Sequence, residues 1–239
     1  MKYAIIAAGD GSRLRQEGIK AHKPLVEVGG KKLIDRLINI FMENDAEDIC
    51  VICNEEMTDV SAHLIEIEEN GLNGRKIPLH FIVKSTPSSM HSFYELSTLI
   101  GSGSFILTTV DTIFREDEFA SYVKAFQNKS DEVDGLMGVT RFVDDEKPLW
   151  ISADKAGHIH GFYDAKTAET QFVSGGIYGL TDKAFRTLND CIARGESRMR
   201  NFQRALIKDG LDIRAYEFGK IMDIDHKKDI LEAEQFLKG

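Results

Sequence analysis

The chain has 239 residues, of which 42% are hydrophobic and 29% are charged, a composition that suits a folded protein of one or two domains. Its formal net charge of −9 at pH 7 argues against nucleic acid as a partner, because a polyanion would be repelled. No apolar run approaches the roughly 20 residues of a membrane-spanning helix, and we recognise no signal peptide, so we expect a cytoplasmic protein without a membrane partner.

Strands and helices alternate through the first half of the chain. The pattern of apolar residues predicts a strand over residues 2–8, a helix over 31–44, a strand over 49–53, a helix over 57–69, a strand over 79–83, a helix over 89–100, a strand over 104–110 and a helix over 117–127. This alternation is typical of an α/β fold.

The second half is richer in strands. We predict a strand over residues 135–143, a hairpin over 149–153 and 158–162, a strand over 172–180, two helices, a strand near 211–218 and a last helix near 226–237. Gly175 and Gly176 stand inside the fourth of these strands, which predicts a bulge or the close approach of a ligand. We therefore expect one domain over residues 1–239, with a Rossmann-like mixed, mostly parallel sheet flanked by helices.

The three cysteines carry no predicted chemistry. Cys50 and Cys53 are three positions apart on a predicted strand, so their side chains point to opposite faces and cannot readily share a metal or a disulfide. Cys191, on a predicted helix, is interpreted as a packing residue.

A glycine loop with two cations follows the first strand. Backbone N–H groups at Gly9 and Gly11 can approach phosphate oxygens closely, and Arg13 and Lys23 can neutralise the remaining charge. The loop lacks the third glycine of a dinucleotide fingerprint and the G-K-[ST] of a Walker A loop. The alternative is a glycine turn with solvated basic residues, but Lys23 and a later carboxylate stand where a phosphate site needs them.

The segments AAGDGSRL (7–14) and KPLVEVGGK (23–31) resemble the signature of the nucleotidyltransferase superfamily with a GT-A-like fold. That superfamily includes sugar-phosphate nucleotidylyltransferases and cytidylyltransferases. The resemblance implies an NTP-binding half over residues 1–130 and an acceptor-binding half over 131–239. It also implies that Ala8, Gly9 and Gly11 contact the nucleotide and that Arg13, Lys23 and Asp111 are catalytic.

Two later segments extend the resemblance to a metal site. Asp111 ends an apolar strand, where a hard oxygen ligand suits Mg²⁺, although an aspartate there can also cap a turn. The segment MDIDHKKDI (222–230) resembles the family's D-I-D segment with the second metal-ligating aspartate. Its spacing to the last helix favours Asp225, which could also cap that helix, and Asp223 is the alternative ligand.

Other positions match the family less closely. Ser89 and Ser92 follow a loop that resembles the nucleotide-facing loop of the family, and serines there can equally cap a helix. Ser174 and Gly175 match the strand that lines the acceptor pocket, with Ser174 in place of asparagine. The Glu-Lys pair of sugar-1-phosphate enzymes is missing from its register, where Tyr163, Asp164 and Lys166 could compensate. We interpret Arg194, Arg198, Arg200 and Arg204 as a solvated face, and we assign no role to His91.

The resemblance implies a Mg²⁺-dependent enzyme that moves a nucleoside monophosphate from an NTP to a phosphorylated small molecule, a sugar-1-phosphate or similar, with release of pyrophosphate. The D-I-D segment slightly favours CTP. Alternatives are a non-catalytic nucleotide-sensing module of the same fold and, with less support, a GT-A glycosyltransferase, which normally carries D-x-D where this chain has Asp111-Thr112-Ile113. The base, the acceptor and the oligomeric state stay open.

Overall fold

A nine-stranded sheet with helices on both faces dominates the computed structural model, which describes residues 1–143 and 146–238. In chain order the elements are β1 (Lys2–Ala7), α1 (Ser12–Gln16), β2 (Glu27–Val28), β3 (Lys31–Lys32), α2 (Leu33–Glu43), β4 (Asp48–Cys53), α3 (Thr58–Asn70), β5 (Leu79–Val83), α4 (Ser89–Ile100), β6 (Phe105–Thr109), β7 (Thr112–Ile113), α5 (Glu116–Gln127), β8 (Gly135–Thr140), β9 (Trp150–Ala153), β10 (Ile159–Tyr163), β11 (Phe172–Leu180), α6 (Ala184–Ala193), α7 (Met199–Lys208), β12 (Ile213–Phe218), β13 (Met222–Asp223) and α8 (Lys227–Lys238). No helix among the described residues is long and apolar enough to span a bilayer.

The sheet is mixed and mostly parallel, as predicted. Its strands lie in the order β5-β4-β1-β6-β11-β8-β12, with β9 beside the start of β11 and β10 outside β9. β5, β4, β1 and β6 are mutually parallel, β11 is antiparallel to both β6 and β8, and β12 is parallel to β8. Of the nine described strands, therefore, only β11 and β10 run against the common direction.

Two hydrophobic cores cover the two faces of this sheet. The alternation along β1 separates them, since Tyr3 and Ile5 enter the core under α2, α3 and α5, whereas Ala4 and Ile6 enter the core under α4, α6 and α7. Tyr3 stacks on Phe41 at 4.3 Å between ring centroids in the first core. Complete burial of a side chain such as Ile5 or Phe41 contributes about 1.5–3 kcal/mol to folding.

The cysteine prediction is confirmed by these cores. Cys50 belongs to the core under α4 and Cys53 to the opposite one, and both thiols are free and buried. Burial raises the pKa of each thiol to about 11, so neither is a thiolate at neutral pH. Cys191 is buried in the same core as Cys50, as expected of a packing residue.

Some predicted boundaries are wrong for local reasons. The helix expected from residue 31 begins at Leu33, because Lys31 and Lys32 form β3 and pair with β2. The strand expected to reach residue 143 ends at Thr140, whose Oγ1 accepts a hydrogen bond from the Phe142 amide at 3.1 Å and turns the chain out of the sheet. The short α1 was not predicted, since five residues are too few for a periodic pattern.

The predicted irregularity of β11 is confirmed as a bulge. The register of β11 against β8 shifts between Ser174 and Ile177. Gly176 has φ +71°, and a Cβ at this position would lie 3.0 Å from Thr112 Oγ1 and 3.2 Å from Thr109 Oγ1. Glycine thus allows the β11 backbone to approach the end of β6 closely.

Candidate active site

A crevice opens where the order of the strands reverses. The chain leaves β1 for β4 and β5 on one side, and then returns to place β6 on the other side of β1. Ligands of open α/β sheets bind outside the carboxyl ends of strands at such a point. A cavity of about 580 Å³ lies here, which we call the central cavity. It is lined by predicted residues from distant segments: Ala8, Gly9, Gly11, Arg13, Lys23, Ser89, Ser92, Asp111 and Asp225.

A chain of ion pairs forms one wall of the central cavity. Lys23 Nζ donates hydrogen bonds to Asp111 Oδ2 and, at 2.7 Å, to Asp225 Oδ1. Arg13 Nη1 donates to the other oxygen of Asp225, also at 2.7 Å. The two predicted cations and two of the predicted carboxylates are therefore in direct contact.

These contacts decide the charge of Lys23 and Asp225. Burial by itself would lower the pKa of Lys23, whose side chain is 11% exposed, but attraction and hydrogen bonds from both carboxylates outweigh burial and raise it. Burial by itself would raise the pKa of Asp225, but Lys23 and then Arg13 overcome this effect and lower it. Both groups are thus charged at neutral pH.

The glycine loop is shaped around Lys23. Gly11 precedes α1 with φ +60°, and a Cβ there would lie 3.1 Å from Lys23 Cβ. Lys23 itself begins a single 3₁₀ turn, in which the Val26 amide donates to the Lys23 carbonyl at 3.1 Å and Pro24 fixes the backbone. The loop and the turn together direct the lysine into the cavity.

Asp111 and Asp225 meet through a two-residue ladder. β13 pairs with β7, and the amide of Ile224 donates to the carbonyl of Asp111 at 3.1 Å. Asp229 Oδ2 then accepts hydrogen bonds from the amides of Asp225 and His226, at 2.9 and 2.6 Å, and so caps α8. Asp225 is held between the ladder and this cap.

A second contact fastens the same segment to α1. Glu17 Oε1 accepts a hydrogen bond from His226 Nδ1 at 2.7 Å, and Glu17 Oε2 accepts one from the amide of Lys227 at 2.6 Å. The hydrogen bond to Glu17 raises the pKa of His226, and the Lys227 amide contributes most to lowering that of Glu17. Helix α1, which carries Arg13 and is followed by Glu17, and the segment that carries Asp225 are therefore tied together.

The donor set of this wall fits a magnesium ion. Asp111 and Asp225 already converge on one cation, the Lys23 ammonium, and their carboxylate oxygens are ligands that Mg²⁺ prefers. In the described ranges, no group of three or more carboxylate, imidazole or thiol side chains is arranged to hold a metal ion. Mg²⁺ does not need such a group, since it usually takes one or two carboxylates and completes its shell with phosphate oxygens and water.

The structure separates the two candidate second ligands. Asp225 lines the central cavity, whereas Asp223 lies on β13 with an exposed side chain and lines two smaller cavities beside it. Geometry thus favours Asp225 as the partner of Asp111.

The serine loop before α4 closes another side of the central cavity. The N-cap of α4 is Ser88, whose Oγ accepts a hydrogen bond from the His91 amide at 3.5 Å and is bonded to His91 Nδ1 at 2.9 Å. Ser92 is 2% exposed, and its hydroxyl is bonded to that of Thr86 at 2.6 Å. Both serines line the cavity, but Ser89 is only half-buried, so it is better placed than Ser92 to contact a ligand.

Two further cavities adjoin the central one. The first, of about 330 Å³, is called the arginine cavity and is lined by Ser89, Thr109, Leu149, Ser174, Gly176, Tyr178, Arg198, Met199, Arg200, Gln203 and Asp223. The second, of about 370 Å³, is called the acidic cavity because five carboxylates line it: Glu17, Glu146, Asp223, Asp225 and Asp229. The predicted acceptor residues lie here, with Ser174 in both cavities and Gly175 in the acidic one.

The prediction of a solvated arginine face is wrong in part. Arg194 and Arg198 are exposed, but Arg200 and Arg204 are half-buried and both pair with Asp164, at 2.5 and 2.8 Å. Arginine in the first turn of a helix opposes the usual preference for acidic residues there, which is a sequence signal for a site that attracts anions.

Asp164, Tyr163 and Lys166 do not replace the missing Glu-Lys pair in this structure. Asp164 is engaged by the two arginines, and the ammonium of Lys166 lies 5.2 Å from the centroid of the Trp150 ring. Tyr163 receives a hydrogen bond from Ser152 at 3.5 Å. None of the three lines the central, arginine or acidic cavity.

Two kinds of comparison relate the whole chain to known proteins. The family model described as nucleotidyl transferase matches residues 2–239. Glucose-1-phosphate cytidylyltransferases of Salmonella typhimurium and Salmonella typhi are each 30% identical over 80 residues, which cover 28% of this chain and 31% of each relative. The match therefore spans about a third of the length of these curated relatives.

Solved structures share the fold over nearly the whole chain. An inositol-1-phosphate CTP transferase from T. maritima has a TM-score of 0.78 at 18% identity, with 98% of this chain and 94% of that chain covered. A putative glucose-1-phosphate thymidylyltransferase from Bacillus anthracis, in complex with a sucrose, has a TM-score of 0.82 at 23% identity, with 99% and 94% covered. At these identities the likeness concerns the fold.

Proposed function

The chain belongs to the nucleotidyl transferase family, and from this premise we propose that it transfers a nucleoside monophosphate from an NTP to a phosphorylated small molecule. The observation that carries the proposal is the chain of ion pairs from Arg13 through Asp225 and Lys23 to Asp111, at the junction of the central cavity with the acidic cavity. A sugar-1-phosphate or a polyol phosphate is the proposed acceptor class. CTP is the favoured donor, supported by the names of the Salmonella and T. maritima relatives.

The proposed reaction is an in-line substitution at the α-phosphorus. A phosphate oxygen of the acceptor forms a bond to the α-phosphorus, the bond from that phosphorus to the β-phosphate bridging oxygen breaks, and pyrophosphate leaves with the electron pair. The attacking oxygen is already ionised at neutral pH, so no general base is needed. Catalysis then depends on positioning and on neutralising charge.

The residues of the central cavity have distinct proposed roles. Gly9 and Gly11 expose backbone to the triphosphate, and Arg13 neutralises the β- and γ-phosphates as they leave. Lys23, with three donors on one ammonium, can exchange a carboxylate oxygen for an oxygen of the α-phosphate. Asp225 and Asp111 keep that ammonium charged and hold it at the reacting centre.

Asp111 and Asp225 are also the residues that would hold Mg²⁺. When it is bound there with NTP, the ion supplies positive charge to the phosphate oxygens that become more negative in the transition state.

The two halves of the chain have separate proposed tasks. Residues 1–130 supply the glycine loop, the serine loop and Asp111, which face the nucleotide. Residues 131–239 supply Ser174, Gly175 and the arginine cavity for the acceptor, and they return Asp225 to the first half. We also propose that the enzyme works in the cytoplasm, where NTPs are available.

The proposal predicts that Asp111→Asn and Lys23→Ala each lower turnover by at least ~10²-fold, the scale for removal of one electrostatic group in an active site. The fold should persist, because an ion pair to Asp225 remains in each variant. In Asp111→Asn it is the pair with Lys23, and in Lys23→Ala it is the pair with Arg13. The measurement is Mg²⁺-dependent release of pyrophosphate, with four NTPs tested against sugar-1-phosphates, polyol phosphates, phosphocholine and aminoethylphosphonate.

Asp131→Asn and Lys208→Ala are matched controls, since both side chains are exposed and neither lines the central cavity. Both controls should keep wild-type turnover. Near-normal pyrophosphate release by the Asp111 and Lys23 variants would reject the assignment. NTP binding by the wild type without pyrophosphate release for any acceptor would instead favour a nucleotide-sensing module.

A further inference from the structure

We propose that Arg198 binds the phosphate group of the acceptor, with Gln203 as a second donor in the arginine cavity. This inference rests on the function proposed above and names the group that recognises the acceptor. In the sequence, Arg198 is one of four arginines close together. Only its contacts in the structure distinguish it from the other three.

Arg198 differs from its neighbours in having unused donors. Across the part of the chain that the structure describes, its guanidinium makes no ion pair or hydrogen bond, although the residue lines the arginine cavity. By contrast, Arg194 pairs with Glu196 at 2.7 Å and Arg200 pairs with Asp164 at 2.5 Å. A guanidinium with available donors can bind a phosphate through two parallel hydrogen bonds.

The backbone of Arg198 is held in an unfavourable conformation. Its φ is +73° and its ψ is 136°, a combination that glycine adopts freely and that a residue with a side chain rarely adopts. The amide of Arg198 donates to Ser88 Oγ at 3.3 Å, which anchors it to the cap of α4 beside the central cavity. Residues kept in such conformations are concentrated at ligand sites.

Gln203 gives an independent indication of a ligand. The residue is 2% exposed, and its Oε1 accepts a hydrogen bond from Ser174 Oγ at 3.1 Å. Within the described residues, no hydrogen bond engages its amide nitrogen. Because Gln203 also lines the arginine cavity, this nitrogen can donate a hydrogen bond to an oxygen of a molecule bound there.

Charge distinguishes the arginine cavity from the acidic cavity as a phosphate site. The acidic cavity has five carboxylates against Arg13, Lys228 and His226, and the cations Arg13 and His226 are already paired. The arginine cavity has Arg198, whose donors are unused, and Arg200, which is paired with Asp164, against a single lining carboxylate, that of Asp223. A phosphate dianion therefore meets less negative charge in the arginine cavity than in the acidic one.

Position and donor type then define the acceptor class. The arginine cavity shares Ser89 and Thr109 with the central cavity, so a phosphate held there lies next to the nucleotide. Asp223 can accept hydrogen bonds from hydroxyl groups on the remainder of the same molecule. These features fit a phosphomonoester of a sugar or of another polyol.

Calorimetry on the full chain tests the inference, with glucose 1-phosphate and myo-inositol 1-phosphate as probes and glucose and myo-inositol as their unphosphorylated counterparts. The variants are Arg198→Ala and Arg198→Gly, and Arg194→Ala is the matched control because it removes a paired arginine outside the three cavities. Arg198→Gly separates binding from stability, since glycine relieves the backbone conformation and should leave the unfolding temperature equal or higher.

We expect the wild type and Arg194→Ala to bind at least one phosphorylated probe equally well. Both Arg198 variants should bind that probe about 10- to 100-fold more weakly, as for loss of charged hydrogen bonds, and should not change the binding of its unphosphorylated counterpart. Wild-type affinity in Arg198→Gly, or no binding of either phosphorylated probe by the wild type, would overturn the inference.

Pyrophosphate release distinguishes this inference from the proposed function. Release by the wild type, with an unchanged acceptor KM in Arg198→Gly, would reject the role of Arg198 and keep the transferase. Binding of a phosphorylated probe that depends on Arg198, without release for any NTP, would reject the transferase and keep the phosphate site.

Discussion

At the scale of single residues, Lys23 determines the electrostatics of the site. A buried ammonium without a partner costs several kcal/mol, so it needs the two carboxylates that it contacts. The same need keeps two carboxylates close together, because their mutual repulsion is offset by the lysine and by Arg13. The charges that we assign to catalysis are therefore also the charges that stabilise this part of the cavity.

Asp225 and Asp223 should differ in how they affect the metal requirement. Since Asp225 contacts Lys23 in the central cavity and Asp223 faces the smaller cavities, Asp225→Asn should lower turnover by about 10²-fold and raise the Mg²⁺ concentration for half-maximal rate. Asp223→Asn should act mainly on the acceptor KM. A Mg²⁺ titration of pyrophosphate release measures both, and the reverse pattern would assign the second ligand to Asp223.

At the scale of elements, short and irregular pieces position the site. β7 and β13 have two residues each, yet their ladder carries the Asp225 segment to Asp111. The bulge of β11 performs a similar task for the acceptor side, because it places Ser174 in the arginine cavity and brings Gly176 against the end of β6. The long helices and strands supply the rigid support for these pieces.

Gly176→Ala should destabilise the fold more than Gly195→Ala. Both glycines have a left-handed φ, +71° and +72°, which costs an alanine about 1–2 kcal/mol. At Gly195 no heavy atom lies within 4 Å of the added Cβ, whereas at Gly176 the Cβ meets Thr112 and Thr109 and adds about 1–3 kcal/mol of overpacking. Urea unfolding measures the difference, and equal losses of stability would show that the bulge has room for a methyl group.

At the scale of the whole molecule, one sheet joins the two predicted halves. β6 of the first half is bonded to β11 of the second, and β1 contributes side chains to the cores on both faces. The central cavity takes residues from both halves as well, since Asp225 enters it beside Asp111. Such continuity favours cooperative unfolding, although a chain of 239 residues is larger than most two-state domains.

We expect the two halves to unfold in one transition. Trp150, the only tryptophan of the chain, lies on β9 and reports on the second half, while far-UV circular dichroism is dominated by helices from both halves. The urea midpoints of the two signals should coincide. Phe41→Ala in the first half should cost about 3–5 kcal/mol of stability and should lower both urea midpoints equally. Phe93→Ala, which empties part of the core on the opposite face of the sheet, should also lower both midpoints equally. A Trp150 transition that Phe41→Ala leaves unmoved would show two independent domains.

Much of the fold follows from local pattern. The alternating strands and helices are recognisable because their apolar residues repeat with periods that each element imposes, and the glycines in β11 indicate its bulge in the same way. The elements that were missed or misplaced, α1, β2, β3, β7 and β13, have two to five residues and are too short to show a period.

Some features of the candidate site could likewise be predicted from the sequence, and others could not. Arg13, Lys23 and Asp111 could be named from the sequence, because each follows directly on a recognisable strand or loop. The contact between Lys23 and Asp225 could not be predicted from the sequence, because 202 positions separate the two residues. The two-residue ladder of β7 and β13, which is too short to recognise in the sequence, brings them together. Asp225 and Asp223 are alike in sequence, and only the structure shows that Asp225 reaches the central cavity and contacts Lys23.

The sequence by itself determined the order of the elements, the faces of the sheet and the residue types for a triphosphate, because these depend on neighbours along the chain. Only the tertiary structure decided which charges neutralise one another and which keep free donors. Four arginines within eleven residues cannot be told apart from the sequence. In the structure, Arg200 and Arg204 pair with Asp164, whereas the backbone amide of Arg198 donates to Ser88, 110 positions away. Pairing depends on distance in space, which residue spacing does not encode.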